Sequence, residues 1–205
     1  MNNDHFVQKT HSYYMDGIEV PGNTFTLVDN GILDTEFCTP EGRVRGTNVH
    51  LLTQYFDEGD YSEAEAVRLG LQGYVESWKK ARERWGFLVL EIERIAFHKL
   101  FRYGTTIDRL VLLDGWETIV EIKSGANEPG HRFQTAAQEL ACESALGPYT
   151  RGLRRRGAFY LHKDGTEATW RPHNDPADRN AFLAMLACTN LRIKLGISKL
   201  PGETK

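Results

Sequence analysis

Two acids and a lysine near the middle of the chain, Asp108, Glu121 and Lys123, have the types and order that divalent-metal chemistry needs. The Asp114-Gly115 pair between them favours a two-residue type I′ hairpin turn. Such a turn pairs Leu113 with Trp116, and counting outward sets Asp108 opposite Glu121 and Thr106 opposite Lys123. Opposed residues share a face, as do residues two apart, so the two acids and the lysine are expected to emerge together. Opposed Cβ atoms lie roughly 4.5–5.5 Å apart, and carboxylates held that close repel. A hard divalent cation relieves this, since Mg²⁺ takes one or two protein carboxylates and leaves its other positions to water and a substrate phosphate. A lysine alongside could orient or help deprotonate an attacking water. Apolar Val111–Leu113 and Ile119–Val120 make the strand pair central in its sheet, where unpaired carboxylates need a reason. The competing reading is a salt-bridged, solvated strand face, and a bulge would turn Asp108 to the other side.

The elements that must position these residues follow from punctuation and periodicity. Asp16-Gly17 closes a hairpin of Ser12–Met15 with Ile18–Pro21, and Asp164-Gly165 one of Ala158–Lys163 with Thr166–Arg171. The central hairpin joins Thr105–Leu113 to Trp116–Lys123, and Phe87–Phe97 is an apolar strand leading into it. Helices are expected at Thr47–Phe56 and at Glu63–Trp85, the latter with a Ser62/Glu65 capping box and a stripe of Val67, Leu71, Tyr74, Val75 and Trp78. Two more are expected: His131–Ala145, striped by Phe133, Ala137, Leu140 and Ala141, and Ala177–Leu195, with Phe182, Met185, Leu186 and Leu191 inward and Gly196 as stop. Helices, three strands, a helix, two strands and a helix make an α/β or α+β fold, a mixed sheet flanked by helices.

The 205 residues suit a single domain (1–205), and 40 % apolar with 26 % charged residues excludes disorder and fibrous classes. No apolar run nears the roughly 18 residues of a membrane span, and the polar first ten residues hold no signal-peptide core. Cys38, Cys142 and Cys188 give neither a disulfide framework nor a zinc or iron–sulfur ligand set. These features are those of a soluble, cytoplasmic protein with no membrane partner. A net charge of −3 excludes a generally basic nucleic-acid coat but not a local basic groove.

Gly104–Asp108, then Glu121-Ile122-Lys123, then a helix carrying Gln134 resemble the PD-(D/E)XK nuclease superfamily, and in particular its RecB-like, phage-type exonuclease branch. Four further segments fit. Tyr13–Pro21 resembles the Y-x-x-D-G-x-x-V-P opening of phage members. Gly46–His50 resembles the helical G-x-x-x-H motif, Glu93 with Arg94 the upstream acid, and Gln134–Gln138 the Q-x-x-x-Y motif. The matches run from Tyr13 to Gln138 in the family order. Two departures stand out: Ile107 replaces the proline before the aspartate, and Gln138 replaces the tyrosine.

The resemblance implies a restriction-endonuclease-like core and a Mg²⁺- or Mn²⁺-dependent deoxyribonuclease, an exonuclease of phage or prophage recombination, repair or replication. It implies Asp108, Glu121, Lys123 and Gln134 as the catalytic set, with Asp108, Glu121 and the Ile122 carbonyl as metal ligands. Glu93 is the extra acid, with Glu91 at the same strand parity as its substitute. His50 is either a ligand, suited better to Mn²⁺ than to Mg²⁺, or a packed or capping side chain. DNA is the implied partner, with a recombinase or single-strand-annealing protein as a second, and the assembly is a monomer or a ring-like homo-oligomer. Arg151, Arg154, Arg155 and Arg156 form the densest basic cluster and are the expected phosphate contacts, ahead of Lys79, Lys80, Arg82 and Arg84. Tyr103 and Trp116 are either base-stacking or core aromatics. The rival functions are an inactive nucleic-acid-binding module on the same fold and a structure-specific endonuclease.

Overall fold

Asp16-Gly17 and Asp114-Gly115 each form a two-residue turn with both residues left-handed (φ 53° and 79°; 52° and 78°), the geometry that continues a strand pair's twist. A computed structural model describes residues 3–33, 39–146 and 155–203. Its first turn joins β2 (Ser12–Met15) to β3 (Ile18–Val20), and β1 (His5–Val7) adds a third strand to this small N-terminal sheet. The second turn joins β5 (Tyr103–Leu113) to β6 (Trp116–Lys123) within a five-stranded sheet of order β4-β5-β6-β7-β8, with β4 Leu88–His98, β7 Arg155–Tyr160 and β8 Thr169–Pro172. Neighbours are antiparallel except β6 and β7, which run parallel and need a crossover. α5 (His131–Leu146) supplies it.

The sheet is mixed and covered on both faces, a mixed α/β fold. One face packs α2 (Pro40–Glu58), α3 (Glu63–Arg68) and α4 (Gln72–Trp85) through Val49, Leu52, Val75 and Trp78 onto Val111, Val120, Ile122 and Phe159. The other packs α1 (Asn23–Asp29), α5 and α6 (Ala177–Lys194) through Leu27, Ala137, Ala141 and Phe182 onto Ala96, Ile107, Leu110 and Ile119. Trp78 is wholly buried, and burying an aromatic of its size contributes about 4–6 kcal/mol. Among the described residues no helix is long and apolar enough to cross a membrane.

Several elements depart from the sequence reading. α2 begins at Pro40, seven residues before the expected start, because Thr39 accepts the Gly42 N–H (3.0 Å) as N-cap and Pro40 suits the first helical position. The expected long helix is two: Gly70 turns left-handed (φ 67°) and ends α3, so Val67 is exposed rather than inward. Ser62 does cap α3, accepting from the Glu65 N–H (3.3 Å), whereas the Glu65 carboxylate pairs with Arg68. Leu191 is exposed on α6, not buried.

Asp164-Gly165 lies inside a longer loop, since β7 ends at Tyr160 and β8 starts at Thr169. Helix α4 explains it. A Cβ at Gly73 would lie 1.8 Å from the Lys163 carbonyl oxygen, so only glycine lets this loop seat there. Lys80 Nζ then donates to the Gly165 carbonyl (2.7 Å) and the His162 N–H to Ser77 Oγ (3.1 Å).

Candidate metal centre

The site forms where strand alternation slips. On β5, Val111 and Leu113 face α2–α4 and Leu110 faces α5, as alternation requires, yet Ile107 shares the face of Leu110. The fault falls at Asp108 and has a partner on β4. There Ile92 pairs with Arg109 and Arg94 with Ile107, which leaves Glu93 facing Asp108, and Glu93 is left-handed at φ 46°. A left-handed glutamate costs about 1–2 kcal/mol. In return Asp108 and Arg109, though adjacent, both reach toward α2.

The β5–β6 register agrees with the turn count from Leu113↔Trp116 to Arg109↔Val120, and the ladder stops there. One step on, the Asp108 carboxylate takes the ladder's place: Oδ2 accepts the Ile122 N–H (2.7 Å). Asp108 and Glu121 therefore do not pair across the ladder as expected, although the Asp108 charge still reaches Glu121 and raises it. Asp108 meets His50 of α2, its Oδ2 3.6 Å from Nδ1, while Glu121 meets α5. The break in alternation where Asp108 faces the left-handed Glu93 is the cause; it leaves the β4–β5 register unchanged, and the register shift of β4 lies between Val89 and Glu91.

On the α2 side, His50 Nδ1, a Glu93 oxygen and an Asp108 oxygen lie within 4.8 Å of one another. His50 Nε2 is 2.9 Å from the Ile122 carbonyl, which can only accept, so Nε2 carries the hydrogen and Nδ1 faces both carboxylates. An imidazole tied to a carbonyl through its other nitrogen is the usual arrangement of a metal-ligating histidine. The donor set of one imidazole and two carboxylates fits a divalent cation of the Mn²⁺ or Mg²⁺ kind. Glu91 is elsewhere, paired with Arg94.

The charges are mutually dependent. Burial opposes a charged His50, yet Asp108, Glu93 and Glu121 outweigh it and push the imidazole up to about 9. Burial raises both Asp108 and Glu121 above the ordinary carboxylate range, with His50 and Lys123 respectively pulling back.

On the α5 side, Glu121 Oε1 accepts from Lys123 Nζ (2.7 Å) and Gln134 Nε2 (2.7 Å), and Oε2 accepts from Gln138 Nε2 (2.6 Å). Gln134 Oε1 also accepts from Lys123 (3.0 Å). Burial disfavours the Lys123 ammonium, but Glu121 and Asp108 more than compensate and raise it. Gln138 spans the open ladder by donating to the Thr106 carbonyl (3.0 Å) as well. Its Oε1 is buried without a hydrogen-bond partner.

Sequence reasoning missed the residue behind the acids. Arg109, fully buried, donates from Nε to Asp57 Oδ2 (2.6 Å), and from one terminal nitrogen to the Asp108 carbonyl (2.6 Å) and Glu93 Oε1 (3.3 Å). Asp57 also accepts from Trp78 Nε1 (3.1 Å) and Arg82 (2.5 Å). A charged residue inside the apolar run Ile107–Leu113 was the available signal, since a buried charge needs a partner.

The basic candidates divide. Arg151 and Arg154 lie outside the described residues. Arg155 is half-exposed, stacks its guanidinium over Trp116 (5.2 Å) and approaches Asp114 (3.5 Å). Arg156 points inward, contrary to expectation: it is 4 % exposed and its donors are taken by Glu139, Asp178, Thr135 and two carbonyls. Lys79, Lys80, Arg82 and Arg84 are all engaged, with Glu76, the Gly165 carbonyl, Asp57 and Glu167. Tyr103 is a core aromatic whose hydroxyl donates to the Ala137 carbonyl (2.7 Å).

No family model matches the chain, and no curated protein matches it. Among solved structures it is similar to an alkaline exonuclease (LHK-Exo) from Laribacter hongkongensis, at 16 % identity over 83 % of this chain and 90 % of that one, with a TM-score of 0.36. The same enzyme in complex with dAMP gives 18 % identity, 86 % and 93 % coverage and a TM-score of 0.33.

Proposed function

We propose that the chain is a divalent-metal-dependent deoxyribonuclease. One observation carries the reading: three donors of metal-ligand type, His50, Glu93 and Asp108, converge within electrostatic reach of a half-buried ammonium, Lys123, held by Glu121 and Gln134. A divalent cation there would offset charge building on a phosphodiester under attack by water. Lys123 remains protonated between Glu121 and Asp108 and serves as a donor, with one N–H left for a phosphate oxygen or the attacking water. Glu121 and Gln134 fix its direction, and Gln138 fixes Glu121. The Ile122 N–H holds the Asp108 carboxylate beside His50, where it would help to hold the cation, and the Ile122 carbonyl orients His50. Arg155 with Trp116 is the proposed contact to DNA away from the acids.

The family resemblance favours attack from a DNA end. Linear DNA labelled at either terminus, closed circular DNA and an EDTA control test both points. We expect Mn²⁺- or Mg²⁺-dependent loss of linear DNA, an intact circle, and no cleavage by folded Asp108→Ala or Lys123→Ala. Nicking of the circle would make the enzyme an endonuclease. Undiminished digestion by Lys123→Ala would refute the assignment.

A further inference from the structure

We infer that Arg109, neutralised by Asp57, is a positioning residue that holds the three donors in one constellation; this rests on the cation site proposed above. The donors come from separate elements, His50 from α2, Glu93 from β4 and Asp108 from β5, and one guanidinium bonds to each of these three elements. It reaches Glu93 through its carboxylate and Asp108 through its backbone carbonyl. It reaches α2 twice, through Asp57 and through Thr53 Oγ1 (3.4 Å), and Thr53 Oγ1 in turn donates to the His50 carbonyl (2.9 Å). His50, Thr53 and Asp57 stand three and four residues apart, on one stripe of the helix.

Asp57 sets the balance of charge. With Asp57 as its close partner, at 2.6 Å against 3.3 Å for Glu93, Arg109 keeps Glu93 as the longer of its two ion pairs and steadies it in place. Removing the Asp57 charge frees Arg109 to draw Glu93 inward, away from His50. A lysine at position 109 keeps the charge but lacks the planar fork that meets several acceptors at once. Residues that orient metal ligands typically change affinity by about 10–100-fold when altered.

The test titrates Mn²⁺ into the full-length chain, followed by calorimetry and by the Mn²⁺ electron paramagnetic resonance signal, with the fold of each variant checked by circular dichroism in the cold. Folded Arg109→Lys and Asp57→Asn should bind Mn²⁺ about tenfold or more weakly than wild type. Thr53→Val, which keeps its shape, should lose about threefold. A purely structural ion pair would lower thermal stability and leave the Mn²⁺ affinity of folded protein unchanged, so an Arg109→Lys protein binding as tightly as wild type overturns the inference. Should Arg109→Lys and Asp57→Asn both fail to fold, unaltered affinity in Thr53→Val overturns it equally. Wild-type binding that is absent, or untouched by Glu93→Gln, would instead refute the cation site itself.

Discussion

The ring of Tyr13 fastens the N-terminal sheet to the strand that carries Asp108, beside a backbone bond from the Gly104 N–H to the Pro21 carbonyl (3.0 Å), and Gly104 is what admits the ring. A Cβ at Gly104 would lie 2.3, 2.3 and 2.5 Å from Cδ1, Cγ and Cβ of Tyr13. Ordinary carbon contacts are about 3.5–4.0 Å, so Gly104→Ala creates an overlap of about 1 Å. Tyr13 has nowhere to yield: it is 1 % exposed, packs on Phe6 and Phe97, and shares a hydrogen bond with Thr106 Oγ1 (2.9 Å). Forcing a methyl into a filled site costs about 1–3 kcal/mol, and losing a buried aromatic about 3–5. We expect Gly104→Ala to lose about 2–4 kcal/mol. Equilibrium urea unfolding, followed by tryptophan fluorescence, measures it. Gly125→Ala is the control, since no atom lies within 4 Å of a Cβ there, and it should stay within about 0.5 kcal/mol of wild type. A Gly104→Ala protein as stable as the control would refute the account of how the N-terminal sheet is attached.

Three further outcomes follow from the geometry. Gly46 lies within α2 with open space where a Cβ would be, so Gly46→Ala should stabilise the protein by about 0.5–1 kcal/mol in the same unfolding assay. Arg156→Met strands the buried Glu139, leaves Asp178 with Arg132 alone and should cost about 3–5 kcal/mol, while the salt dependence of DNA binding by the folded variant, read by fluorescence anisotropy, stays unchanged. His131, pushed down to about 3 by burial and by Lys123, is neutral when folded and protonates readily only when unfolded. Its contribution is whole above about pH 6.5 and is lost as pH falls toward the folded value, by about 1.4 kcal/mol per unit. Wild type should therefore lose stability to acid faster than His131→Asn in parallel melts at stepped pH, and identical slopes would contradict this.

The sequence made the β5–β6 turn legible because Asp114-Gly115 encodes its own backbone, and Ser62 marked a helix start for the same local reason. Helix breaks were less visible. Gly70 sits within an apolar stripe that periodicity alone continues, and only the left-handed turn there separates α3 from α4. α1, at seven residues, is too short for periodicity to register. The candidate site was legible as a list of residues and not as an arrangement. Counting pairs outward holds as far as Arg109, but alternation is broken at the next row, where Asp108 faces Glu93, a residue type that gives no warning of a positive φ. Glu91 and Glu93 were equivalent by parity for the same reason. Arg156 looked like its neighbours in a basic run, and only the acids brought in by α5 and α6 turn it inward.

The seating of the Lys163 carbonyl on Gly73 couples distant stretches of chain. Since Ser77, Lys80 and Arg84 continue the same seam, to His162, Gly165 and Glu167, helix α4 cannot fray without releasing the loop between the last two strands. Amide protons of α4 and of β7 should consequently exchange with solvent through one shared opening, a cooperative unit assembled from segments about eighty residues apart.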